Sequence, residues 1–194
     1  VSSQWLLLPL MYLGRVGPLT LAAALEKLPD LYSRTFHCEG SAEIGGEIYP
    51  VHRLDQAVGG VMVYARTREA AAALSRAVQE GRLEKDYLAV LTKAMPEARG
   101  ELRDLLYHDR VKNKTYVVKR KRGGVKEAAL EYETLRRGAA GTLVRVRLHT
   151  GRTHQIRVQF ASRGCPLAGD GKYGGGSGSV ALWSWRLAFP DPRD

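Results

Sequence analysis

The sequence predicts an α+β fold. Short apolar or alternating runs recur along the chain, turn residues join most of them at hairpin spacing, and only a few capped helical windows interrupt them. A first helix is expected over about residues 20–28, with Pro18 before it and Pro29 stopping it. Residues 30–50 are turn-rich and end in Gly45-Gly46 and Pro50. Gly59-Gly60 leads into Val61-Met62-Val63-Tyr64-Ala65, an apolar run suited to a buried strand. Thr67 caps a helix expected through about Glu80, with Glu69 in its first turn, Gly81 past its end, and Ala71, Leu74 and Val78 on its apolar face. A strand follows over 87–91. Thr115-Tyr116-Val117-Val118 reads as another, and Gly123-Gly124 as the turn before the alternating run 128–135, so that a basic hairpin is expected there. Residues 143–148 alternate Val144, Val146 and Leu148 with Arg145 and Arg147, a half-buried strand presenting arginines. Gly151 turns the chain, and Thr153 is the expected cap of a helix ending before Gly164, with Ile156 and Phe160 on its core side.

Composition excludes several classes. Of 194 residues, 44% are hydrophobic and 26% charged, a globular balance that argues against wholesale disorder. Cys38 and Cys165 are too few for a disulfide framework or a four-cysteine zinc site, which makes a reducing compartment the expectation. The longest apolar stretch, residues 5–13, contains Pro9 and falls well short of the roughly 20 residues that span a bilayer. It also lacks a basic leader, so no signal peptide is expected. A soluble cytoplasmic protein is the reading, with a mitochondrial location left open. The 30 Lys and Arg outnumber the 20 Asp and Glu, for a formal net charge of +10. The excess is local: residues 110–126 hold Arg110, Lys112, Lys114, Lys119, Arg120, Lys121, Arg122 and Lys126 and no acidic residue. That is the electrostatic footprint of polyphosphate binding, with a merely solvated face as the plain alternative. Arg136, Arg137, Arg145, Arg147, Arg152 and Arg157 form a second group that lines one groove if the fold gathers them.

Two blocks hold the residues suited to chemistry. His52-Arg53-Leu54-Asp55 places a carboxylate beside cations in a loop before a strand, which suits an ionised nucleophile or an ordinary structural salt bridge. His149-Thr150-Gly151-Arg152-Thr153-His154-Gln155-Ile156-Arg157 spans a turn and a helix start, from which Arg157 can reach a carboxylate. Its two histidines have no Cys, Asp or Glu at metal spacing, so no metal is expected. No phosphate-cradling glycine motif follows a strand, so no nucleotide cofactor is expected either. Read singly, Tyr87 is a core strand tyrosine and Arg157 a surface helix arginine.

Taken in order, His52-Arg53-Leu54-Asp55, Lys85-Asp86-Tyr87-Leu88-Ala89 and the block from His149 to Arg157 resemble the sequence motifs of the RluA-type pseudouridine synthases. The segments Leu167-Ala168-Gly169-Asp170-Gly171-Lys172-Tyr173-Gly174 and Trp185-Arg186-Leu187-Ala188-Phe189-Pro190 extend the likeness. It covers residues 45–192 and divides the chain into an atypical segment 1–44 and a catalytic domain 45–194. The resemblance implies a mixed, mainly antiparallel sheet with flanking helices and a central cleft. It implies isomerisation of uridine to pseudouridine in rRNA or tRNA, without cofactor or metal, by a monomer with no membrane attachment.

The same resemblance implies site roles. Asp55 is the catalytic aspartate, acting by direct addition or through a glycal. Arg157 pairs with it, Tyr87 packs on the base and takes part in proton transfer, and Ile156 walls the base. Arg53, with His52 beside it, enters the RNA stack when the uridine is extruded, a step that base rotation requires. Arg152 serves phosphate or the turn, and phosphate contacts fall to Lys112, Lys119, Arg120, Lys121 and Arg122. The chain departs from the family pattern at Val58-Gly59, where a Thr-Ser pair is usual, at Trp183-Ser184, where a His precedes the small residue, and over residues 1–44. Two rivals remain at this level. A noncatalytic RNA-binding factor would keep the cleft without turnover, and a glycoside hydrolase would need a second acidic group that does not stand out near Asp55.

Overall fold

The computed structural model describes residues 5–9 and 48–191. The helix expected over 20–28 and Cys38 lie outside the described residues. The chain forms two compact units, residues 1–83 with 187–194, and residues 84–186.

In the first unit, β1 (Trp5–Pro9) and β2 (Tyr49–Pro50) both pair antiparallel with β3 (Gly59–Ala65). Helix α1 (Arg68–Gln79) follows β3. Thr67 is extended, at φ −132°, and its hydroxyl accepts from the Ala70 N–H at 3.1 Å, which satisfies one of the donors a helix start leaves open. The helix ends at Glu80, and Gly81 takes φ +72°, a conformation that favours glycine. Its buried side is Ala70, Leu74 and Ala77, with Ala71 and Val78 at the margin. Ala70 and Leu74 pack with Val63, Ala65 and Leu83. Full burial of Leu74 removes an entire leucine side chain from water, about 2 kcal/mol of hydrophobic stabilisation.

The second unit is a sheet ordered β9-β4-β8-β7-β5-β6, with β4 (Glu84–Leu91), β5 (Arg99–Asp109), β6 (Lys114–Val118), β7 (Val125–Gly138), β8 (Gly141–Leu148) and, through Arg186, β9 (Leu182–Ala188). The β4–β8, β8–β7, β7–β5 and β5–β6 ladders are antiparallel. Period-2 alternation gives the sheet two unlike faces. The inner face carries Tyr87, Ala89, Leu102, Leu106, Leu130, Tyr132, Val144 and Val146, all buried. Helix α2 (Gln155–Ala161) lies against this face, with the Phe160 ring edge-on to Tyr132 at 5.6 Å. The outer face carries Arg99, Glu101, Glu131, Glu133, Arg145 and Arg147.

Two sequence expectations change. The basic segment is not one hairpin closed at Gly123-Gly124. β6 pairs with β5 through a turn at 110–113, whereas β7 pairs with the other edge of β5. The cause is the length of β5: Leu105, Leu106 and Tyr107 are bracketed by Val118, Val117 and Tyr116 on one side and by Glu127, Lys126 and Val125 on the other. Residues 119–124 are therefore a crossing loop. Nor does Thr153 cap α2. His154 stands at the cap with φ +53° and makes no side-chain capping bond. The Thr153 carbonyl is engaged by the Thr115 hydroxyl at 2.9 Å, and the buried His154 ring by Tyr173 at 2.8 Å. Those tertiary bonds hold a left-handed conformation that a non-glycine residue rarely adopts.

Candidate active site

Asp55, Arg53 and His52 belong to the first unit, in the loop 51–58 that enters β3. The His52 Nε2 accepts from the Val63 N–H at 3.3 Å, which ties the loop to the strand. The Val58 N–H donates to the Asp55 carbonyl at 2.9 Å and closes a tight turn with Gln56 and Ala57 at its tip. A backbone bond thus braces the loop at Val58. Asp55 is half-buried and Arg53 exposed.

The second unit holds Tyr87, Arg152, Ile156 and Arg157. Tyr87 sits on the inner face of β4 opposite Val146. Arg157 is not a surface arginine. It is 6% exposed, and its Nε and Nη2 donate to Oδ2 and Oδ1 of Asp170, each at 2.7 Å. Asp170 is fully buried. A bidentate, charge-assisted pair of this kind orients the guanidinium plane as well as neutralising it. The Tyr173 ring lies 5.1 Å from that guanidinium and holds it from one side.

Tyr173 anchors a wider network. Its hydroxyl oxygen accepts from the Thr115 N–H at 2.8 Å and stands 2.8 Å from the Nδ1 of His154. Burial pushes the phenol above the usual tyrosine range, against the opposing pull of Thr115 and Arg157. The Thr115 hydroxyl in turn contacts His108 at 3.0 Å. These bonds tie β5, β6, α2 and the segment 165–175 together around Arg157.

The turn before α2 is fixed in the same way. The Thr150 hydroxyl donates to the Gln155 Oε1 at 2.7 Å and accepts from the Ala129 N–H at 3.0 Å. Gln155 Oε1 also accepts from the Arg152 N–H, and its Nε2 donates to the Ala129 carbonyl, both at 3.0 Å. Arg152 is exposed and its Nε donates to the Glu127 carbonyl at 2.9 Å. Beside it, burial and then the charge of Arg152 hold Lys85 below the usual lysine range. Ile156 is buried at the start of α2.

The arginines do not form one groove. Arg145 pairs with Glu133 at 2.7 Å, and Arg147 with Asp86 at 2.8 Å, both on the outer sheet face. Lys112, Lys119, Arg120, Lys121 and Arg122 lie exposed in the β5–β6 turn and the crossing loop. Sequence reasoning matched Asp170 and Tyr173 to a family segment without giving them a task. Their signal was the pair of glycines flanking Asp170: Gly169 takes φ +75°, and a Cβ there would stand 2.1 Å from the Ser179 carbonyl oxygen. Among the described residues no group of three or more His, Cys, Asp or Glu side chains is placed to hold a metal ion, and no helix is long and apolar enough to cross a membrane.

Residues 24–162 match the model of the RNA pseudouridylate synthase family, and the chain belongs to that family. A relative from Aquifex aeolicus, named as an uncharacterized RNA pseudouridine synthase, is 42% identical over 149 residues, covering 75% of this chain and 46% of its own length. The ribosomal large subunit pseudouridine synthase D of Xanthomonas campestris is 38% identical over 125 residues, covering 64% of this chain and 37% of its own. The chain thus spans less than half the length of these relatives. Among solved structures, human RNA Pseudouridylate Synthase Domain Containing 1 superposes with a TM-score of 0.73 at 22% identity, over 100% of this chain and 78% of that one. That likeness establishes the α+β synthase fold.

Proposed function

We propose that this chain is the catalytic part of an RNA pseudouridine synthase, isomerising uridine to pseudouridine in structured rRNA or tRNA. The observation that carries the reading is Arg157, a buried arginine of a family motif whose guanidinium plane is fixed by Asp170 and Tyr173. A cation buried at such cost and so closely oriented suits the task of holding a carboxylate ionised. Family membership and the ordered motifs give that carboxylate as Asp55.

On this reading the target uridine leaves the stack and Arg53, next to His52, fills the gap. In the addition route the Asp55 carboxylate attacks C1′ and the C1′–N1 bond breaks, its electron pair leaving with the uracil anion. In the glycal route Asp55 instead takes the C2′ proton as that bond breaks. Either way the base turns and C5 bonds to C1′: in the addition route the Asp55–C1′ bond breaks as it does so and its electron pair returns to the carboxylate, and in the glycal route Asp55 gives the proton back to C2′. The C5 proton is then lost, and N1 gains one. The product is an isomer and no co-reactant or cofactor is consumed. Tyr87 packs on the base and takes part in the proton transfer, with Ile156 walling it. Arg152, Lys112, Lys119, Arg120, Lys121 and Arg122 hold phosphates. The protein acts as a monomer in the cytoplasm. The division into a segment 1–44 and a catalytic domain 45–194 belongs to the same reading.

The test is tritium release from RNA carrying C5-tritiated uridine. The wild-type chain is expected to release tritium from cellular rRNA or tRNA, and Asp55→Asn to release none while binding RNA normally. A wild-type chain that binds these RNAs and releases nothing would leave the noncatalytic RNA-binding reading.

A further inference from the structure

We infer that the outer face of the β5–β6 hairpin is a stacking platform for unpaired RNA bases, built on Tyr107 and Tyr116. The inference rests on the RNA-directed reading above and adds a second contact surface with its own chemistry. Tyr107 and Tyr116 are direct partners across the β5–β6 ladder. Their chain neighbours Leu106 and Thr115 turn inward and are buried, so both tyrosines project from the face away from α2. Directly opposed side chains in an antiparallel pair stand about 5 Å apart at Cβ, so both tyrosines leave the ladder at one level and on one face.

Cations stand by both rings. The Arg122 guanidinium is 5.1 Å from the Tyr107 centroid, and the Lys114 Nζ lies between two rings, 5.9 Å from the centroid of Tyr116 and 5.5 Å from that of Tyr173. Gly124, at φ +78°, brings the crossing loop back against the Tyr107 ring edge, where a Cβ would stand 3.5 Å from Cε2. Tyr116 is 37% exposed. At the tip of the hairpin Val111 is 97% exposed, its N–H and that of Lys112 held by the Asp109 carboxylate at 3.0 Å.

The charges around this face differ from those on the rest of the outer sheet. There, Arg99 and Arg145 sit on Glu133, Arg147 and Arg186 on Asp86, and His149 on Glu131. Around the tyrosines, Lys121 pairs with Glu127 at 3.0 Å. In the hairpin turn, on β6 and in the crossing loop, Arg110, Lys112, Lys114, Lys119, Arg120 and Arg122 make no ion pair among the described residues. Unneutralised cations beside exposed aromatic rings match a single strand of nucleic acid, whose phosphates take the cations and whose bases take the rings. An acidic protein segment would satisfy the cations and leave the tyrosines idle.

The experiment measures binding of a fluorescein-labelled single-stranded oligouridylate to the 194-residue chain by anisotropy, over a range of salt. Replacing both rings, Tyr107→Ala with Tyr116→Ala, is expected to weaken binding by on the order of tenfold or more and to leave the salt slope unchanged, because no charge is removed. Tyr107→Phe with Tyr116→Phe is expected to bind like wild type. Since Tyr107 is half-buried, Tyr116→Ser alone serves as the milder variant, with roughly a fivefold loss expected. Ultraviolet crosslinking of the wild-type complex is expected to place the RNA on the peptides containing these tyrosines. Unchanged affinity in both alanine and serine variants would overturn the proposal, as would crosslinks confined to other segments. Displacement of the RNA by polyglutamate at equal charge would also overturn it. A wild-type chain that binds no RNA at all overturns the functional reading as well, whereas normal binding that ignores the tyrosines overturns only the platform.

Discussion

Asp170→Asn is the substitution that most directly probes how Arg157 is held. The two side chains are 7% and 0% exposed, and both oxygens of the carboxylate accept from the guanidinium at 2.7 Å. The replacement is isosteric, so it opens no cavity, and its whole effect is the loss of one charge and one acceptor. Breaking a buried ion pair by removing one of its charges costs about 3–5 kcal/mol. For a chain of this size that corresponds to a fall in melting temperature on the order of 10 °C. Urea unfolding followed by tryptophan emission is the assay, since Trp183 and Trp185 stand on β9 within the second unit. A loss of less than about 1 kcal/mol, the worth of an exposed pair, would refute the reasoning and show that Asp170 does not set the state of Arg157. Under the proposed function, tritium release measured below the variant's transition is expected to fall further than the folded fraction, because the Arg157 guanidinium plane is no longer fixed.

Other perturbations test other parts. Thr67→Ala removes the cap bond to Ala70 and is expected to cost about 1 kcal/mol in thermal unfolding. Asp86 gives a pH signature: burial raises its carboxyl, but hydrogen bonds from Arg147 and Arg186 outweigh this and hold it below the usual range. A depressed carboxylate stabilises the fold above its unfolded pKa, about 4, and that stability is lost as pH falls through the lower folded value. The destabilisation by Asp86→Asn, read from urea midpoints, is therefore largest near neutrality and narrows in acid. Gly175→Ala would put a Cβ 1.6 Å from the Leu167 carbonyl oxygen, and is expected to shift the 167–175 loop and lower both stability and tritium release. Replacing Lys119, Arg120, Lys121 and Arg122 by Gln is expected to flatten the slope of log K against log salt by up to about 3, read by filter binding.

Much of the first unit was legible because its cues are local. Thr67, Leu74 and Gly81 lie within one helix and its ends, and α1 formed where their spacing placed it. The strands over 61–65, 87–91 and 143–148 likewise follow from short-range alternation. The site was legible as motifs, and the chemistry they imply came from likeness to a family, not from spacing alone. Ladder order was not legible. Whether residues 114–118 pair forward with β7 or back with β5 depends on which edges a long strand leaves free, and alternation is the same in either case.

The sequence by itself determined the helix and strand segments, the place where positive charge concentrates, and the residues able to do acid, base or nucleophilic work. Tertiary structure decided their partners. Arg157 reads as a surface arginine until α2 is buried on both sides and Asp170 arrives from 13 positions away. Arg147 reads as free for RNA until β4 brings Asp86 from 61 positions away, and Arg186 joins the same carboxylate from 100. The physical reason is one of range. Hydrogen-bond periodicity and capping act within a few residues, whereas the neutralisation of a charge depends on which distant segment shares its burial, and only the folded chain brings those segments together.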